Sequence, residues 1–459
     1  MNRYSCHQAA QPRRVTVIGA GYVGLTATVC FAALGHRVTC VEHNPHQLHR
    51  LLAGEVPIHE PGVAELLADG GRGGRVGFTG DVGEAVPGSA VAILCVGTPA
   101  RPDGHPDLRQ IASAAAEVAA AATGDLVIVV KSTVPPGSCE AIEVIAAESA
   151  PPGVRVTVVS NPEFLRESQA VDDFFNPDRV VIGSEDGPAG DLVASLYPPT
   201  WPLLRCDRRS SELIKYASNT FLALKISFAN EISGLCEQAG ADARSVLAGV
   251  GADRRIGSSF LAHGPGFGGS CLGKDLTGLI ATADALGSPA PVARAAAEVN
   301  RWARGRVIDR LEAIAGPVTG KRIALLGLAF KPGTDDVRDS PAVSIAEGLL
   351  ARGAHVSAFD PIASEPKLGG IECRDAYDAA RGAAAVIFAT GWPEFGLLDL
   401  ARMSGVMSGH LLFDLVGVVD APAAAAVGLE LETLGRGTPT SFHPVVVPPL
   451  EWCLDVAIA

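Results

Sequence analysis

The stretch VTVIGAGYVGL, from Val15 to Leu25, predicts the fold of the first part of the chain. Its apolar run VTVIG has the length and the β-branched residues of a buried strand, and an Ala-rich run of helical character follows. Gly19, Gly21 and Gly24 lie between the two with the spacing G-x-G-x-x-G, which permits a tight turn and lets a pyrophosphate approach the helix N-terminus. The stretch therefore predicts a strand, a dinucleotide-binding turn and a helix.

The same alternation continues toward the middle of the chain. Short β-rich runs recur as HRVTCVE, VAILCVG, LVIVVKS, VRVTVVS and VVIG, separated by Ala-rich stretches. This pattern is typical of a parallel sheet wound by crossover helices. We predict a doubly wound, Rossmann-like, NAD-binding domain at residues 1–205.

Two further segments follow. Residues 206–315 include SELIKYASNTFLALKISFANEISGLCEQAG, whose apolar residues recur at helical spacing until a glycine ends the run, and they predict a long helical connector. After GPVTG the α/β alternation restarts with KRIALLGLAF, HVSAFDP, AAAVIFAT and HLLFDLV, which predicts a second, smaller domain at residues 316–459. The predicted fold class is α/β, with two doubly wound Rossmann-like domains joined by a central long helical connector.

The composition and net charge argue against several classes of binding partner. The net charge of −13 at pH 7 argues against nucleic acid or an anionic membrane as the main partner, since both need basic surfaces. The ten cysteines include no CxxC pair and no cluster with metal-ligand spacing, so we expect neither a disulfide framework nor a metal site. No apolar run approaches the roughly 18 residues of a membrane span. We expect a cytoplasmic protein.

The position of Glu42 indicates which dinucleotide the glycine turn binds. It closes the strand after the glycine turn, 18 positions after Gly24, where a carboxylate can accept hydrogen bonds from both hydroxyls of an adenosine ribose. The same charge would repel a 2′-phosphate, so NAD is favoured over NADP. A flavin, or a glycine turn that serves packing only, is the alternative.

The stretch GFGGSCLGKD, from Gly266 to Asp275, is the most unusual candidate for chemistry. Its glycines would let a substrate approach the backbone, while Lys274 and a helix start after the turn would favour a thiolate at Cys271. The ordinary alternative is a small buried hydrophobic residue.

Three other stretches contain candidate residues. In SNPEFLRES, Glu163 and Glu167 lie four residues apart, and in SELIKYASN, Lys215 and Asn219 share a helix face. In KSTVPPG, Thr133 follows a strand and so lies at the carboxyl edge of the sheet, where such folds bind ligands. Taken alone, each pair is more readily explained as a solvated helix pair, and Thr133 as a turn residue.

Together these stretches resemble the UDP-glucose/GDP-mannose dehydrogenase family. The resemblance runs from about Arg14 to Gly437 through VIGAGYVGL, GEVPIHEPG, CVGTP, KSTVPPG, NPEFLRE, PDRVVIG, ELIKYASN, GADRRIG, GFGGSC, KD and GLAFKPGTDDVRDSPA. It implies oxidation of a nucleotide-hexose at its primary alcohol to a carboxylate, with two NAD reduced per sugar.

The resemblance also implies catalytic roles. Cys271 would hold the aldehyde as a thiohemiacetal that is oxidised to a thioester and released by water. Lys215 and Asn219 would stabilise the oxyanion, Glu163 would act as acid and base through Thr133 or a water, and Asp275 would position or activate water.

Binding residues are carried over from the same resemblance. Those implied at the cofactor, besides the three glycines and Glu42, are Tyr22, Val23, Thr98, Thr133, Glu167, Lys274 and Arg338. Those implied at the substrate, besides Glu163, Lys215 and Asn219, are Phe164, Leu165, Phe267, Gly268 and Lys331. Arg255 matches a residue that reaches the substrate of a neighbouring subunit, which implies a homodimer.

Some positions depart from the family pattern. Near the C-terminus the family reads D-x-R-N, but here DLVG places Val416 and Gly417 at the last two positions, and Gln47 stands where a basic residue is common. A shifted substrate preference, toward dTDP-glucose, GDP-mannose or a UDP-N-acetylhexosamine instead of UDP-glucose, is therefore one alternative. A two-electron, hydroxyacid-type dehydrogenase without a catalytic thiol and a non-catalytic dinucleotide-binding protein are the others.

Overall fold

The computed structural model describes residue 9, residues 11–368 and residues 372–437. These residues fall into two compact units. The first comprises the chain up to Phe221 together with Lys274–Ala293, and the second comprises Leu222–Gly273 and the chain from Arg294 onward. The predicted division into three domains stays a prediction, and its outer limits, residues 1 and 459, lie outside the described residues.

The first unit is built on eight strands. They are β1 (Arg14–Ile18), β2 (Arg37–Val41), β3 (Val76–Thr79), β4 (Val91–Leu94), β5 (Leu126–Val130), β6 (Val156–Ser160), β7 (Val180–Gly183) and β8 (Leu203–Cys206). The helices between them are α1 (Tyr22–Ala33), α2 (Pro45–Leu52), α3 (Val63–Arg72), α4 (Val82–Ala85), α5 (Arg109–Ala120), α6 (Ser138–Ser149), α7 (Ala170–Phe175) and α8 (Gly187–Ala194).

These strands form one sheet in the order β3-β2-β1-β4-β5-β6-β7-β8. The first six follow the 3-2-1-4-5-6 order of the dinucleotide-binding fold, and their pairings are parallel. The single antiparallel pairing joins Ser160 of β6 to Gly183 of β7. Because parallel strands present their carboxyl ends at one edge, the residues after β1, β4, β5 and β6 lie side by side.

The sequence of β5 explains why helices cover both faces of this sheet. Successive side chains of a strand point to opposite faces, and in LVIVV all five are buried. Val127 and Val129 pack into the apolar cluster that includes α1, whereas Leu126, Ile128 and Val130 pack into the cluster that includes α5 and α6. A strand that is apolar on both faces therefore requires helices on both.

The second unit contains a smaller sheet. Its strands are β9 (Arg322–Leu326), β10 (His355–Phe359), β11 (Ala385–Phe388), β12 (Leu411–Asp414) and β13 (Glu430–Thr433), in the order β10-β9-β11-β12-β13 with parallel pairings. This is the other common doubly wound order, 2-1-3-4-5. Its helices are α13 (Pro341–Ala351), α14 (Ala376–Ala380), α15 (Leu400–Val406) and α16 (Ala421–Ala426), with short 3-10 turns at Pro366–Leu368 and Pro393–Leu397.

The central part of the chain is helical. It contains α9 (Arg208–Ala239), α10 (Ala243–Ala252), α11 (Leu272–Ala285) and α12 (Pro291–Ala315). The chain passes from one unit to the other within α9, α11 and α12. Among the described residues, no helix has both the length and the apolar character that crossing a membrane would require.

The predicted fold class is confirmed, and each predicted strand is present. Three strands were missed, β3, β8 and β13, because they are short, partly exposed and lack a continuous apolar run. The interpretation as solvated helix pairs was wrong. Residues 161–169 form no helix, so Glu163 and Glu167 are not a helix pair. Lys215 and Asn219 do lie on a helix, but both are buried.

Candidate active site

The turn after β1 has the geometry that a dinucleotide phosphate needs. Gly19 has φ +95°, and a Cβ on Gly24 would overlap the carbonyl oxygen of Gly19, so both positions require glycine. A Cβ on Gly21 would meet no atom within 4 Å, which leaves open space in front of the turn. Gly21 is also the N-cap of α1 and has no capping side chain, so the first N–H groups of the helix can bind an anion.

A cavity of about 480 Å³ lies beside this turn. Glu42, at the end of β2, lines it together with Gly19, Gly21, Gln47 and Gly97. Oε2 of Glu42 accepts from the N–H of Ala20 at 3.1 Å, and Oε1 accepts from the N–H of Asn44 at 2.7 Å. The carboxylate is thus held at the cavity wall, where it can receive the two hydroxyls of a ribose.

Other predicted cofactor residues of the first unit lie on loops or at the start of α1. Thr98, after β4, is buried and donates its hydroxyl hydrogen bond to the carbonyl of Thr133, after β5, at 2.9 Å. Tyr22 and Val23 open α1 and are half-buried, as is Glu167.

The Tyr22 side chain has its own partners within this unit. Its hydroxyl group donates to the buried carboxylate of Glu60 and accepts from the N–H of Ser168 at 2.8 Å. The sequence reasoning missed Glu60, which ties the glycine turn to the loop that contains Glu167.

Glu163 and Lys215 form a buried ion pair. Nζ of Lys215, on α9, lies 3.0 Å from Oε1 of Glu163, and the side chains are 4% and 8% exposed. Oε2 of Glu163 accepts from the N–H of Leu165 at 2.6 Å. Burial alone would raise the pKa of Glu163, but Lys215, the Leu165 N–H and Lys131 together lower the pKa below its ordinary value. The carboxylate is therefore ionised near neutral pH and can accept a proton.

Asn219 lies one helical turn after Lys215, on the same face of α9. Its Nδ2 donates to Oδ2 of Asp275 at 2.6 Å, and Nζ of Lys274 lies 2.6 Å from the other oxygen of Asp275. The Asp275 side chain is 1% exposed. Asp275, in the first turn of α11, thus places a buried carboxylate with a partner on each oxygen next to Asn219, the candidate catalytic asparagine.

Lys131 is a second buried cation beside Glu163 that the sequence reasoning missed. It follows β5 and is 4% exposed, and its Nζ donates to Oδ1 of Asn161 at 3.2 Å. Asn161 follows the neighbouring strand β6 and also accepts from the Tyr197 hydroxyl at 2.6 Å. A lysine directly after the all-apolar run LVIVV was the available signal, because a buried lysine needs a partner.

Cys271 lies in the second unit, at the end of a glycine loop. Gly266 and Gly269 have φ +103° and +82°, and a Cβ on Gly268 would overlap the carbonyl oxygen of Asp339. The half-buried thiol lies 3.5 Å from the hydroxyl oxygen of Ser270, and α11 begins at the next residue. The predicted helix start is confirmed.

Other cysteines are poorer nucleophiles than a half-buried thiol at a helix start. Burial raises the pKa of Cys40 and of Cys95 to about 12, and it raises the pKa of Cys30 and Cys139 as well. Such thiols stay protonated near neutral pH. These four cysteines are free.

The glycine loop is held by residues of α12. Asn300 accepts from the N–H of Phe267 at 2.8 Å and donates to its carbonyl at 3.1 Å, and Arg304 donates to the same carbonyl. Phe267 is buried. The N–H of Gly269 donates to the carbonyl of Arg338 at 3.0 Å, so two predicted site segments meet at this loop.

The remaining predicted residues are placed as follows. Nζ of Lys331 lies 5.6 Å from the centre of the Phe330 ring, next to the glycine loop. The Arg338 guanidinium is paired with Asp336, and the 85% exposed Arg255 is paired with Asp253. Phe164 stacks its ring under the Arg179 guanidinium at 4.0 Å and faces Nζ of Lys215 at 5.3 Å. Among the described residues, Arg255 forms no hydrogen bond or ion pair with the glycine loop.

The first unit thus brings together Glu163, Lys215 and Leu165, and separately Asn219, Lys274 and Asp275. The second unit brings Phe267, Gly268 and Cys271 onto one loop with the Arg338 backbone. Among residues 11–368 and 372–437, no group of three or more His, Cys, Asp or Glu side chains could hold a metal ion.

The comparisons with known proteins agree along most of the chain. Residues 13–201 match the NAD binding domain of the UDP-glucose/GDP-mannose dehydrogenase family, residues 209–302 its central domain and residues 324–421 its UDP binding domain. A UDP-glucose 6-dehydrogenase of Rhizobium meliloti is 45% identical over 437 residues, covering 92% of this chain and 99% of that protein.

Two solved structures are also similar. A UDP-glucose dehydrogenase from Pyrobaculum islandicum superimposes with a TM-score of 0.87 at 39% identity, covering 94% of this chain and 99% of that one. A UDP-D-ManNAc dehydrogenase from Pyrococcus horikoshii gives a TM-score of 0.83 at 27% identity, covering 92% and 99%. The chain belongs to the UDP-glucose/GDP-mannose dehydrogenase family.

Proposed function

We propose that this chain is an NAD-dependent UDP-glucose 6-dehydrogenase, which oxidises the C6 alcohol of the hexose to a carboxylate. The proposal depends on two buried side chains of α9 and their partners: Lys215 is paired with Glu163, and Asn219 with Asp275. The NAD-binding family to which the chain belongs includes UDP-glucose 6-dehydrogenases. Such a buried ion pair costs desolvation free energy, and a catalytic role explains why it is kept.

NAD fits the first unit. The open space at Gly21 admits a pyrophosphate, and the fixed carboxylate of Glu42 accepts the ribose hydroxyls and repels a 2′-phosphate. When bound, NAD accepts a hydride from the sugar carbon in each of the two oxidations. Thr98, Thr133, Glu167 and Lys274, together with the backbone at Tyr22 and Val23, would line the rest of its site. We propose Arg338 as a further cofactor-binding residue.

Glu163 would act as the base of the first oxidation. The pKa of Glu163 is lowered, so the group is ionised and can take the C6 hydroxyl proton through Thr133 or a water. Loss of that proton and of a hydride from C6 leaves the aldehyde. Lys215 and the Asn219 amide would stabilise the negative charge that develops on the oxygen.

Cys271 would hold the aldehyde until the second oxidation. Its thiolate forms a carbon–sulfur bond to C6, and the oxygen takes up a proton, which gives a thiohemiacetal. Loss of that proton and of a second hydride gives a thioester. Water then adds to the carbonyl carbon, the carbon–sulfur bond breaks, and the acid and the free thiol result. Asp275 would position or activate this water.

The substrate-binding residues that we propose belong to two segments of the chain. Phe164 and Leu165 are next to the Glu163 carboxylate, and Phe267, Gly268 and Lys331 are at the glycine loop. A UDP binding domain at residues 324–421 accords with a nucleotide-sugar substrate. Val416 and Gly417 favour one second candidate, a dehydrogenase for another nucleotide-sugar, because the arginine that the family motif places there is missing.

A homodimer in the cytoplasm completes the proposal. Phe221, Phe228 and Leu235 recur every seven residues along α9 and are 61%, 42% and 56% exposed. A second copy of the chain would cover this apolar row, and Arg255 would then reach the partner's substrate. The free thiols of Cys30, Cys40, Cys95 and Cys139 accord with a reducing compartment.

The test is NADH release over a panel of UDP-glucose, dTDP-glucose, GDP-mannose and a UDP-N-acetylhexosamine. We expect UDP-glucose to give the highest kcat/KM and two NADH per sugar consumed. One NADH per sugar would reject the four-electron reaction in favour of a two-electron dehydrogenase. NAD binding without NADH from any of the four would indicate a non-catalytic protein.

A further inference from the structure

The loop after β12 has a shape that requires glycine at position 417. Asp414 is 1% exposed, and its carboxylate accepts from the N–H groups of Val416 at 3.0 Å, Gly417 at 2.7 Å and Val419 at 2.8 Å. This wraps the loop tightly and puts Gly417 at φ +79°, where other residues are strained. The loop is at the carboxyl edge of the second sheet, the edge at which such folds bind ligands.

Arg244 fills the space that the missing side chain leaves. A Cβ on Gly417 would overlap Nη2 of Arg244 and lie 3.3 Å from its Cζ, so the guanidinium lies directly against the glycine. Arg244 is the second residue of α10, in the same unit, and its side chain is exposed. Within the described ranges, its guanidinium forms no ion pair or hydrogen bond, so its donors are available.

This place adjoins the predicted substrate residues. The loop after β12 passes beside the start of the glycine loop, where a Cβ on Gly264 would lie 3.5 Å from the carbonyl oxygen of Leu415. Val416 packs toward Gly391, at the end of the neighbouring strand β11. All of these residues are in the second unit, and residues 324–421 are the part that matches a UDP binding domain.

We propose that Arg244 binds the diphosphate of the nucleotide-sugar, and that Gly417 is the residue that lets it do so. A guanidinium donates two parallel hydrogen bonds to phosphate oxygens, which makes arginine the preferred side chain for this purpose. In a chain of net charge −13, a diphosphate needs local cations. Arg244 supplies, from a different element, the positive charge that Val416 lacks. The proposal rests on the proposed nucleotide-sugar substrate.

The experiment measures UDP and NAD binding by calorimetry and the kinetics of UDP-glucose oxidation. Arg244→Gln is expected to weaken UDP binding by about 10- to 100-fold and to raise the KM for UDP-glucose similarly, with NAD affinity unchanged. Arg381→Gln is the matched control. It replaces another exposed arginine of the second unit, placed before β11 and thus at the opposite edge of the sheet, and it should bind UDP like the parent.

A second variant separates loss of the cation from damage to the loop. Adding Val416→Arg to Arg244→Gln returns a guanidinium to the same edge of the sheet and should recover most of the lost UDP affinity. Unchanged UDP binding in Arg244→Gln, or a loss of NAD affinity equal to the loss of UDP affinity, would overturn the inference.

Different experimental results would reject the proposed function and the proposed role of Arg244. If the parent chain binds UDP but releases no NADH from UDP-glucose, the proposed function is wrong, and the UDP measurements still decide the role of Arg244. If the parent chain oxidises UDP-glucose and Arg244→Gln has the same KM, only the role of Arg244 is wrong.

Discussion

Each of the two sheets places a buried carboxylate at or just beyond its carboxyl edge, and the two carboxylates have different partners. Glu163, after β6, is paired with the Lys215 ammonium and a single backbone N–H. Asp414, at the end of β12, accepts from three backbone N–H groups and from no cation among the described residues.

The different partners indicate different roles for the two carboxylates: one can exchange a proton, and the other fixes the conformation of a loop. A carboxylate between cations stays ionised and can exchange a proton with a ligand, whereas one that is wrapped by N–H groups fixes the path of a loop. Asp360, after β10, repeats the second pattern, since it accepts from the N–H groups of Leu328, Ala329, Ile362 and Ala363. We therefore propose that proton transfer takes place at the first edge and that the second edge binds the diphosphate of the nucleotide-sugar.

The largest effect should follow from Lys215→Met. It removes the cation from a pair whose side chains are 4% and 8% exposed. The kcat should fall by roughly 10²- to 10³-fold, and the free energy of unfolding by about 3–5 kcal/mol, because Glu163 loses its partner. Steady-state kinetics and urea unfolding measure the two effects.

Lys225→Met is the control for this prediction. Lys225 lies further along α9 and donates to the carbonyls of Ile256 and Gly257, and its loss should leave kcat within a few-fold of the parent. A parental kcat in Lys215→Met would contradict a catalytic role for the residues at the first edge.

Asp414→Asn should have a smaller effect, and one confined to the second edge. An amide NH₂ in place of Oδ2 would face the N–H of Val419, and we expect a loss of about 1–3 kcal/mol in the free energy of unfolding together with a higher KM for UDP-glucose. The Kd for NAD, measured by calorimetry, should not change. A fall in kcat with an unaltered KM would contradict the division between the two edges.

The smallest effect concerns pH. Because the folded-state pKa of Glu163 is below its unfolded value of about 4.3, ionisation of Glu163 stabilises the fold fully above that pH. This stabilisation is lost as the pH falls through the folded-state pKa. In urea unfolding between pH 3 and 7, the free energy of unfolding should therefore fall less steeply with acid in Glu163→Gln than in the parent chain. An identical pH dependence in the two proteins would argue that the ion pair does not favour the ionised carboxylate.

Residues close together in the sequence were predicted well. The strand, the three glycines and Glu42 lie within one short segment, so their spacing alone indicates a dinucleotide turn, and Lys215 and Asn219 share a face of α9 because they are one helical turn apart. The structure adds the partners of these residues, such as Glu163 for Lys215 and Asp275 for Asn219.

Residues far apart in the sequence were missed. Lys131 meets Asn161 only because β5 and β6 are neighbours, and Arg244 meets Gly417 only through tertiary packing across more than a third of the chain. The departure at Val416 and Gly417 could be seen in the sequence. Its consequence could not, because nothing local indicates which side chain fills the space above a glycine.

The central claim is that the Cys271 thiol holds a half-oxidised sugar, and the rate of UDP-glucuronate formation by Cys271→Ala tests it most directly. Cys373→Ala, which replaces another half-buried thiol of the second unit, is the matched control and should form the acid at the parental rate. We predict that Cys271→Ala binds NAD and UDP normally but forms no acid above background. Acid production by Cys271→Ala at the parental rate would contradict the account.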